Sequence, residues 1–366
     1  MSKQYIGFLT QKHLYTSLKK YNQASIDIVF LEEAAEKNHL VPCYFLMSSL
    51  LEGQDSIPAL VKENGRYQEK TIQVPRVIYN RECNFPRRQR KFKHLAKKGI
   101  MVFNETNFLK KYEFMALLEE NHEFRKYLPE TKIANTKNLK EMMQKYNQLI
   151  LKPDMGFVGK GIHKLQRINE KQWCLSYQSK EGKRSTWKEI TFSDTIPEIL
   201  HQLIEKNLYL IQNLLPLATY RGAPFDLRVA TQRNGLGKWE VSAIIGKVAR
   251  EGNFLTNIGQ GGTSYALDEL IQEYPHLSAD HLKEQIVALA IKIANLFSSH
   301  LPHIADLGFD LAITPEGDIY YIECNFSSAY NKLTTKNGVL LHEGWEAVFT
   351  KPVEYARFLL DNKLLD

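Results

Sequence analysis

Residues 308–325 read GFDLAITPEGDIYYIECN. The stretch has the pattern of two strands around a turn at Pro315-Glu316-Gly317-Asp318. Phe309, Leu311 and Ile313 alternate with Asp310, Ala312 and Thr314; on the return, Tyr320, Ile322 and Cys324 alternate with Tyr321, Glu323 and Asn325. Register should set apolar opposite apolar. A two- or four-residue loop does so and puts Asp310 directly across from Glu323. A three-residue loop, which Pro315 and Gly317 also permit, mixes the faces and is rejected. Asn325 then shares the face of Glu323, two residues along. Facing carboxylates repel, and a divalent cation with oxygen ligands removes that cost. Asp310, Glu323, an amide oxygen from Asn325 and phosphate oxygens would make a set for Mg²⁺. The competing reading is an exposed face with solvated acids or a neighbouring arginine. On the metal reading, neutralising either acid leaves the metal-free fold intact or slightly more stable.

Three stretches upstream carry related signals. In APFDLRVATQ, 223–232, Asp226 and Arg228 lie two apart and share a strand face. Arg228 could grip a phosphate or carboxylate bidentately, or could form a surface ion pair. In GKVAREGNFLTNIGQGGTSY, 246–265, a strand ends with Lys247 and Arg250, and the chain passes Asn257 to reach Gly261-Gly262. That mixture suits a multiply charged ligand or an irregular connection. In LKPDMGFVGKGIHK, 151–164, Gly156, Gly159 and Gly161 sit beside Lys152 and Lys160. Backbone N–H groups of such a loop can wrap an anion. The spacing matches neither the P-loop nor the dinucleotide fingerprint, and turn geometry alone also uses glycine.

The rest of the chain bounds these readings. With 366 residues and 43% hydrophobic content, it can build a substantial core over two or three domains. No apolar run is long enough to span a bilayer, and the first residues lack the apolar centre of a signal peptide. Cys43, Cys83, Cys174 and Cys324 are scattered without a CxxC pair. The expected location is therefore the reducing cytoplasm. The net charge of +7 is mild for this length. The basic run RRQRKFKHLAKK, 87–98, is read as a helix face with Phe92 and Leu95 turned inward, and nucleic acid is not the expected partner. Strands at Tyr5–Leu9, Pro42–Leu46, Arg76–Tyr79 and Ile100–Phe103, with a helix over Ile26–Asn38, predict a largely parallel α/β sheet. Helices are expected over Phe108–Glu120, Lys137–Tyr146, Ser193–Asn207, 281–299 and 344–361. Strands are expected at Leu149–Lys152, Gly161–Ile168, Trp173–Ser179, Thr186–Thr191, Leu208–Gln212, Asp226–Gln232 and Trp239–Val248. After residue 104 the alternation is mixed and predicts α+β lobes.

The order of these signals resembles the ATP-grasp superfamily. The 151–164 loop looks like its glycine-rich lid, and Tyr209–Asn213 like the hinge strand that reads adenine. Phe225–Val229 resembles the D-x-R strand of RimK-type ligases, and Arg250–Gly262 their arginine/asparagine loop. Asp310, Glu323 and Asn325 match the metal-ligand trio. A closer resemblance is to the YheC/YheD endospore coat-associated group. Its marks are Val77-Ile78-Tyr79-Asn80-Arg81, Phe103-Asn104, Lys111-Tyr112, Leu128-Pro129-Glu130-Thr131 and Leu151–Gly161. The resemblance implies a pre-ATP-grasp α/β domain over 1–103, an N-terminal grasp lobe over 104–207 and a C-terminal lobe over 208–366. It implies nucleotide contacts from Lys111, Lys152, Gly156, Gly159, Lys160, Gly161, Gln212 and Asn213, and catalytic cations at Arg228, Lys247 and Arg250. The cofactors it implies are ATP and Mg²⁺. One departure is visible: 214–224 contains no Asp or Glu to hold the ribose. The implied activity is ADP-forming ligation of an amine to a carboxylate of an amino acid or peptide, through an acyl phosphate. The alternative is an ATP-binding assembly protein with spore coat partners and little or no turnover, spore-associated rather than only cytoplasmic.

Overall fold

The computed structural model describes residues 3–82, 89–106, 109–156, 159–181, 184–205, 209–326, 330, 335–336, 339–340 and 345–362. Expectations that fall on Cys83, Arg87, Arg88, Phe108, Phe157, Val158, Asn207 and Leu208 lie outside the described residues. Three sheets organise the molecule. The first is built from β1 (Tyr5–Leu9), β2 (Val41–Phe45), β3 (Ser56–Glu63), β4 (Arg66–Gln73), β5 (Val77–Asn80) and β6 (Met101–Phe103), in the order β4-β3-β2-β1-β5-β6. Strands β2, β1, β5 and β6 are parallel, as expected from their uninterrupted apolar runs. Helices α1 (Lys12–Tyr21) and α2 (Ile26–Lys37) contribute Leu18, Ile28 and Leu31 to the core on one face. The antiparallel β3–β4 hairpin was not expected. Its signal was Asn64-Gly65, both at positive φ, a pair suited to a two-residue hairpin turn.

Helix α3 (Gln89–Ala96) carries the basic run and buries Phe92 and Leu95. Its Lys91 ammonium donates to the carbonyls of Met47 and Leu50, so part of the positive charge is used internally.

The second sheet is antiparallel throughout. It follows helix α4 (Lys111–Glu120) and comprises β7 (Thr131–Ile133), β8 (Gln148–Pro153), β9 (His163–Arg167), β10 (Trp173–Glu181), β11 (Arg184–Phe192) and β12 (Tyr209–Asn213), in the order β11-β10-β9-β8-β12-β7. Helices α5 (Thr136–Lys145) and α6 (Glu198–Glu205) cover one face through Leu139, Met142, Leu200 and Ile204. The strand period sends Leu149, Leu151 and Ile211 into that core. Ile150, Lys152 and Gln212 therefore point the other way.

The third sheet is β16 (Thr263–Ala266), β15 (Trp239–Val248), β14 (Ala223–Arg233), β17 (Asp306–Ile313) and β18 (Ile319–Asn325), with β13 (Thr219–Tyr220) paired to β14. Helices α7 (Leu267–Ile271) and α8 (Ala279–His300) pack on one face against Leu227, Val229, Phe309 and Leu311. On the opposite face Ala230, Ala243 and Ile245 receive Val348 and Phe349 of α9 (Ala347–Asp361). The same helix sends Val353, Ala356 and Leu359 into the core of the first sheet. The last helix thus ties the first and third sheets together. Burying each of the larger of these side chains, such as Val353 and Leu359, contributes about 1.5–3 kcal/mol. No helix among the described residues is long and apolar enough to cross a membrane.

The 308–325 hairpin departs from expectation in an instructive way. Gly317 N–H donates to Thr314 C=O, Thr314 N–H donates to Asp318 C=O, and Gly317 takes φ 91°. This is the three-residue loop that the pattern argument rejected. Ile313 pairs with Ile319 and Leu311 with Tyr321, so Tyr321 rather than Tyr320 enters the core. The register then shifts beside Asp310, and Asp310 still pairs with Glu323. A one-residue bulge at Ile322 compensates the odd loop. Tyrosine suits either face, so alternation alone assigned the wrong one.

Candidate nucleotide and ligation site

A cleft of about 120 Å³ lies between facing sides of the second and third sheets. Its lining includes Lys111, Lys152, Gln212, Asn213, Asp310 and Glu323. Gly156, Gly159 and Lys160 of the β8–β9 loop close one side, and Phe254, Thr256 and Asn257 of the β15–β16 loop face them. The loops meet: a Cβ on Gly159 would lie 2.6 Å from Asn257 Oδ1, and Gly159 holds φ 66°. Apolar walls come from Ile150, Leu214, Leu215, Leu217 and Ile322.

Each charged group has a traceable position. Lys111 begins α4. Its N–H donates to the Asp154 carbonyl at 3.1 Å, and the Tyr112 N–H donates to Asp154 Oδ1 at 2.8 Å, which ties the helix start to the glycine loop. The Lys111 ammonium reaches Glu323 Oε2 at 2.7 Å. Lys152 lies on β8, diagonal to Gln212 on β12, and contacts Gln212 Oε1 at 3.1 Å. It also donates to the Ile322 carbonyl at 3.2 Å, at the bulge. Burial, helped by the Lys111 charge, brings its pKa down to about 8 despite Glu323 and Asp310 nearby.

On the third sheet, strand pairing puts Arg228 directly across from Asp310, and Asp226 across from Lys247. Arg228 grips Asp310 with a two-pronged contact, Nε to Oδ1 at 2.6 Å and Nη2 to Oδ2 at 3.2 Å. Lys247 lies 3.0 Å from Asp310 Oδ1 and 3.1 Å from Asp226 Oδ1. Burial pushes the Asp310 carboxyl up, but Arg228 and Lys247 outweigh it and hold the group well below the usual range. Burial likewise disfavours the Glu323 charge, and Lys111 reverses the balance. Asp226, where burial prevails over Lys247, is pushed up to about 6.

The repulsion between Asp310 and Glu323 persists but is offset, because each acid has a cation at ion-pair distance. These ion pairs remove the premise of the expectation that neutral variants leave the metal-free fold intact or slightly more stable. Asn325 Nδ2 lies 3.4 Å from the Gly308 carbonyl and 3.5 Å from Asp310 Oδ2. Arg228, Lys247 and Asn325 stand behind Asp310 and do not line the cleft. Gly161 backs onto Tyr209 and Pro153, and Arg250 is exposed beside Gly261. Asp226 does line the cleft. Its place on the Arg228 face was readable, but nothing in the sequence separated it from a surface acid.

Among the described residues no three His, Cys, Asp or Glu converge as a metal cluster. Asp310 and Glu323 nevertheless offer only oxygen, with Asn325 alongside. That donor chemistry fits Mg²⁺, which binds through one or two carboxylates and completes its shell from phosphate and water.

This arrangement of an antiparallel lobe with a glycine loop facing a second antiparallel lobe that carries paired carboxylates is that of an ATP-grasp protein. A profile described as YheC/D-like ATP-grasp matches residues 99–359, and the chain belongs to that family. It is 26% identical over 315 residues to the endospore coat-associated protein YheD of Bacillus subtilis strain 168, covering 83% of this chain and 67% of YheD. It is 21% identical over 309 residues to YheC of the same organism, covering 81% of each. Among solved structures it resembles the ATP-grasp ligase PsnB complexed with a precursor variant, Mg and ADP. The TM-score is 0.53 at 14% identity, over 98% of this chain and 99% of that one.

Proposed function

We propose that the protein is an ATP-dependent, ADP-forming carboxylate–amine ligase acting on an amino acid or peptide-like substrate. The observation that supports this best is the convergence of Lys111, Lys152, Asp310 and Glu323 on one cleft beneath a glycine loop. Membership of the family and the fold shared with an ATP-grasp ligase agree with it.

In this reading the adenine lies between Ile150, Ile322 and Leu214–Leu217, with Gln212 and Asn213 at its edge. Lys111, Lys152, Lys160 and the backbone of Gly156 and Gly159 meet the phosphates. Asp310 and Glu323 would hold Mg²⁺, with Asn325 beside Asp310 as the expected third member of the set; the ion when bound supplies charge neutralisation at phosphate oxygens. A substrate carboxylate oxygen attacks the γ-phosphorus, the bond to ADP breaks, and an acyl phosphate forms. The amine nitrogen then attacks the acyl carbon, inorganic phosphate leaves, and the amine gives up a proton. Arg228 and Lys247 set the charge and orientation of Asp310 from behind, and Arg250 is placed to approach only from the rim. The β8–β9 loop, already in contact with Asn257, keeps water from the acyl phosphate.

The test is incubation with ATP, Mg²⁺ and pooled amino acids and peptides, with mass spectrometry for ADP, phosphate and new amides. ADP and an amide are expected. AMP and pyrophosphate would overturn the mechanism. Nucleotide binding without turnover on any pool would favour an ATP-binding assembly role. The absence of a ribose-holding acid in 214–224 leaves that second reading its one supporting observation.

A further inference from the structure

The stretch Leu128-Pro129-Glu130-Thr131 has no place in the chemistry above, yet it borders the site. Thr131 lies directly across from Gln212 in the β7–β12 pair. Three hydrogen bonds run in series from it. The Thr131 hydroxyl donates to the Pro129 carbonyl at 3.0 Å. It accepts from Gln212 Nε2 at 2.8 Å. Gln212 Oε1 accepts from the Lys152 ammonium at 3.1 Å.

The direction of this chain is dictated by chemistry at both ends. A carbonyl cannot donate, so the hydroxyl proton of Thr131 goes to Pro129, and its lone pair faces Gln212. An ammonium cannot accept, so it requires the amide oxygen. Only one orientation of the Gln212 amide satisfies both neighbours. Without the hydroxyl, the amide loses the anchor on its NH₂ end, and the oxygen that receives the ammonium is no longer held in place. Gln212 and Lys152 are both buried, so a lost partner at their end of the chain is costly.

We propose that Thr131 is a positioning residue: through the Gln212 amide it aims the Lys152 ammonium at the nucleotide phosphates. This rests on the nucleotide reading of the cleft. It assigns a role to a side chain that itself faces a separate groove, beside Tyr112, Tyr146 and Tyr320.

The test is a calorimetric double-mutant cycle on ADP binding, with thermal unfolding of each unliganded variant alongside. Thr131→Val, which keeps shape and strand propensity but loses the hydroxyl, should bind ADP up to about tenfold more weakly, the upper scale of one lost neutral hydrogen bond. Thr131→Ser should bind like the wild type. Gln212→Met should weaken ADP comparably, and adding Thr131→Val to it should cost nothing more. Thr131→Ala takes the place of Thr131→Val if the latter unfolds. Wild-type affinity in a folded hydroxyl-less variant, or independent addition of the two losses, would overturn the proposal. No ADP binding by the wild-type protein would instead overturn the nucleotide reading itself.

Discussion

The two walls of the cleft handle positive charge in opposite ways. On the third sheet, Arg228 and Lys247 are buried against Asp310 and Asp226, each cation within ion-pair distance of a carboxylate. On the second sheet, Lys152 is equally buried, and its hydrogen bonds among the described residues go to the neutral oxygens of Gln212 and Ile322. On the first wall both cations already have carboxylate partners without a ligand. The second holds an ammonium whose desolvation is not fully offset, and a phosphate would supply the missing counter-charge. A stable framework and a ligand-hungry group can thus stand side by side in one cleft.

The largest expected effect tests the completed wall. Asp310→Asn leaves Arg228 and Lys247 buried without their shared carboxylate, and should destabilise the metal-free protein by about 3–5 kcal/mol in denaturant unfolding. An unchanged or raised stability would break the contrast and restore the idea of two repelling acids.

Lys152→Met should behave in the opposite sense: undiminished or higher stability at pH 7, with weaker ADP binding. The pH dependence carries a sign. Lys152 titrates near 8 in the folded protein and near 10.5 when unfolded. Between these values the unfolded chain binds more protons, so this group's contribution to stability rises with pH. Wild-type stability relative to Lys152→Met should climb by up to about 3 kcal/mol across that window. A flat difference between pH 7 and 10 would show that the ammonium is better compensated than its neighbours imply.

ADP with Mg²⁺, at about a hundred times its dissociation constant, should stabilise the wild-type protein by about 2.7 kcal/mol in a thermal-shift titration. Lys152→Met should require more ligand for the same shift. A null result in both would remove the reason for the unpaired lysine.

The smallest effect concerns the loop between the walls. Gly159→Ala forces a side chain into positive φ and against Asn257. It should cost about 1–2 kcal/mol and loosen ADP binding a few-fold, measured by unfolding and calorimetry. Unaltered affinity would show that contact between the loops does not matter to the ligand.

What could be read from the sequence follows from local periods. The two-residue repeat of a strand puts Glu323 and Asn325 on one side of their strand and Asp226 and Arg228 on one side of theirs. Parallel apolar runs identify β1, β2, β5 and β6, and the basic run around Phe92 and Leu95 is legible as an amphipathic helix. The Asn64-Gly65 pair is a legible turn signal as well.

Pairing across long separations was not legible. Asp310 meets Arg228 and Lys247 because β14 lies between β15 and β17, and no local pattern states which strands become neighbours. The odd hairpin loop and its bulge at Ile322 each look unfavourable alone and agree only together, and the carbonyl at that bulge then receives Lys152. Composition and spacing by themselves determined which groups were available: cations, carboxylates and glycines on faces that a strand's period fixes. The tertiary structure alone decided which cation was neutralised and which was left facing the cleft. That choice depends on cross-strand contacts of a few ångströms between residues far apart in the chain.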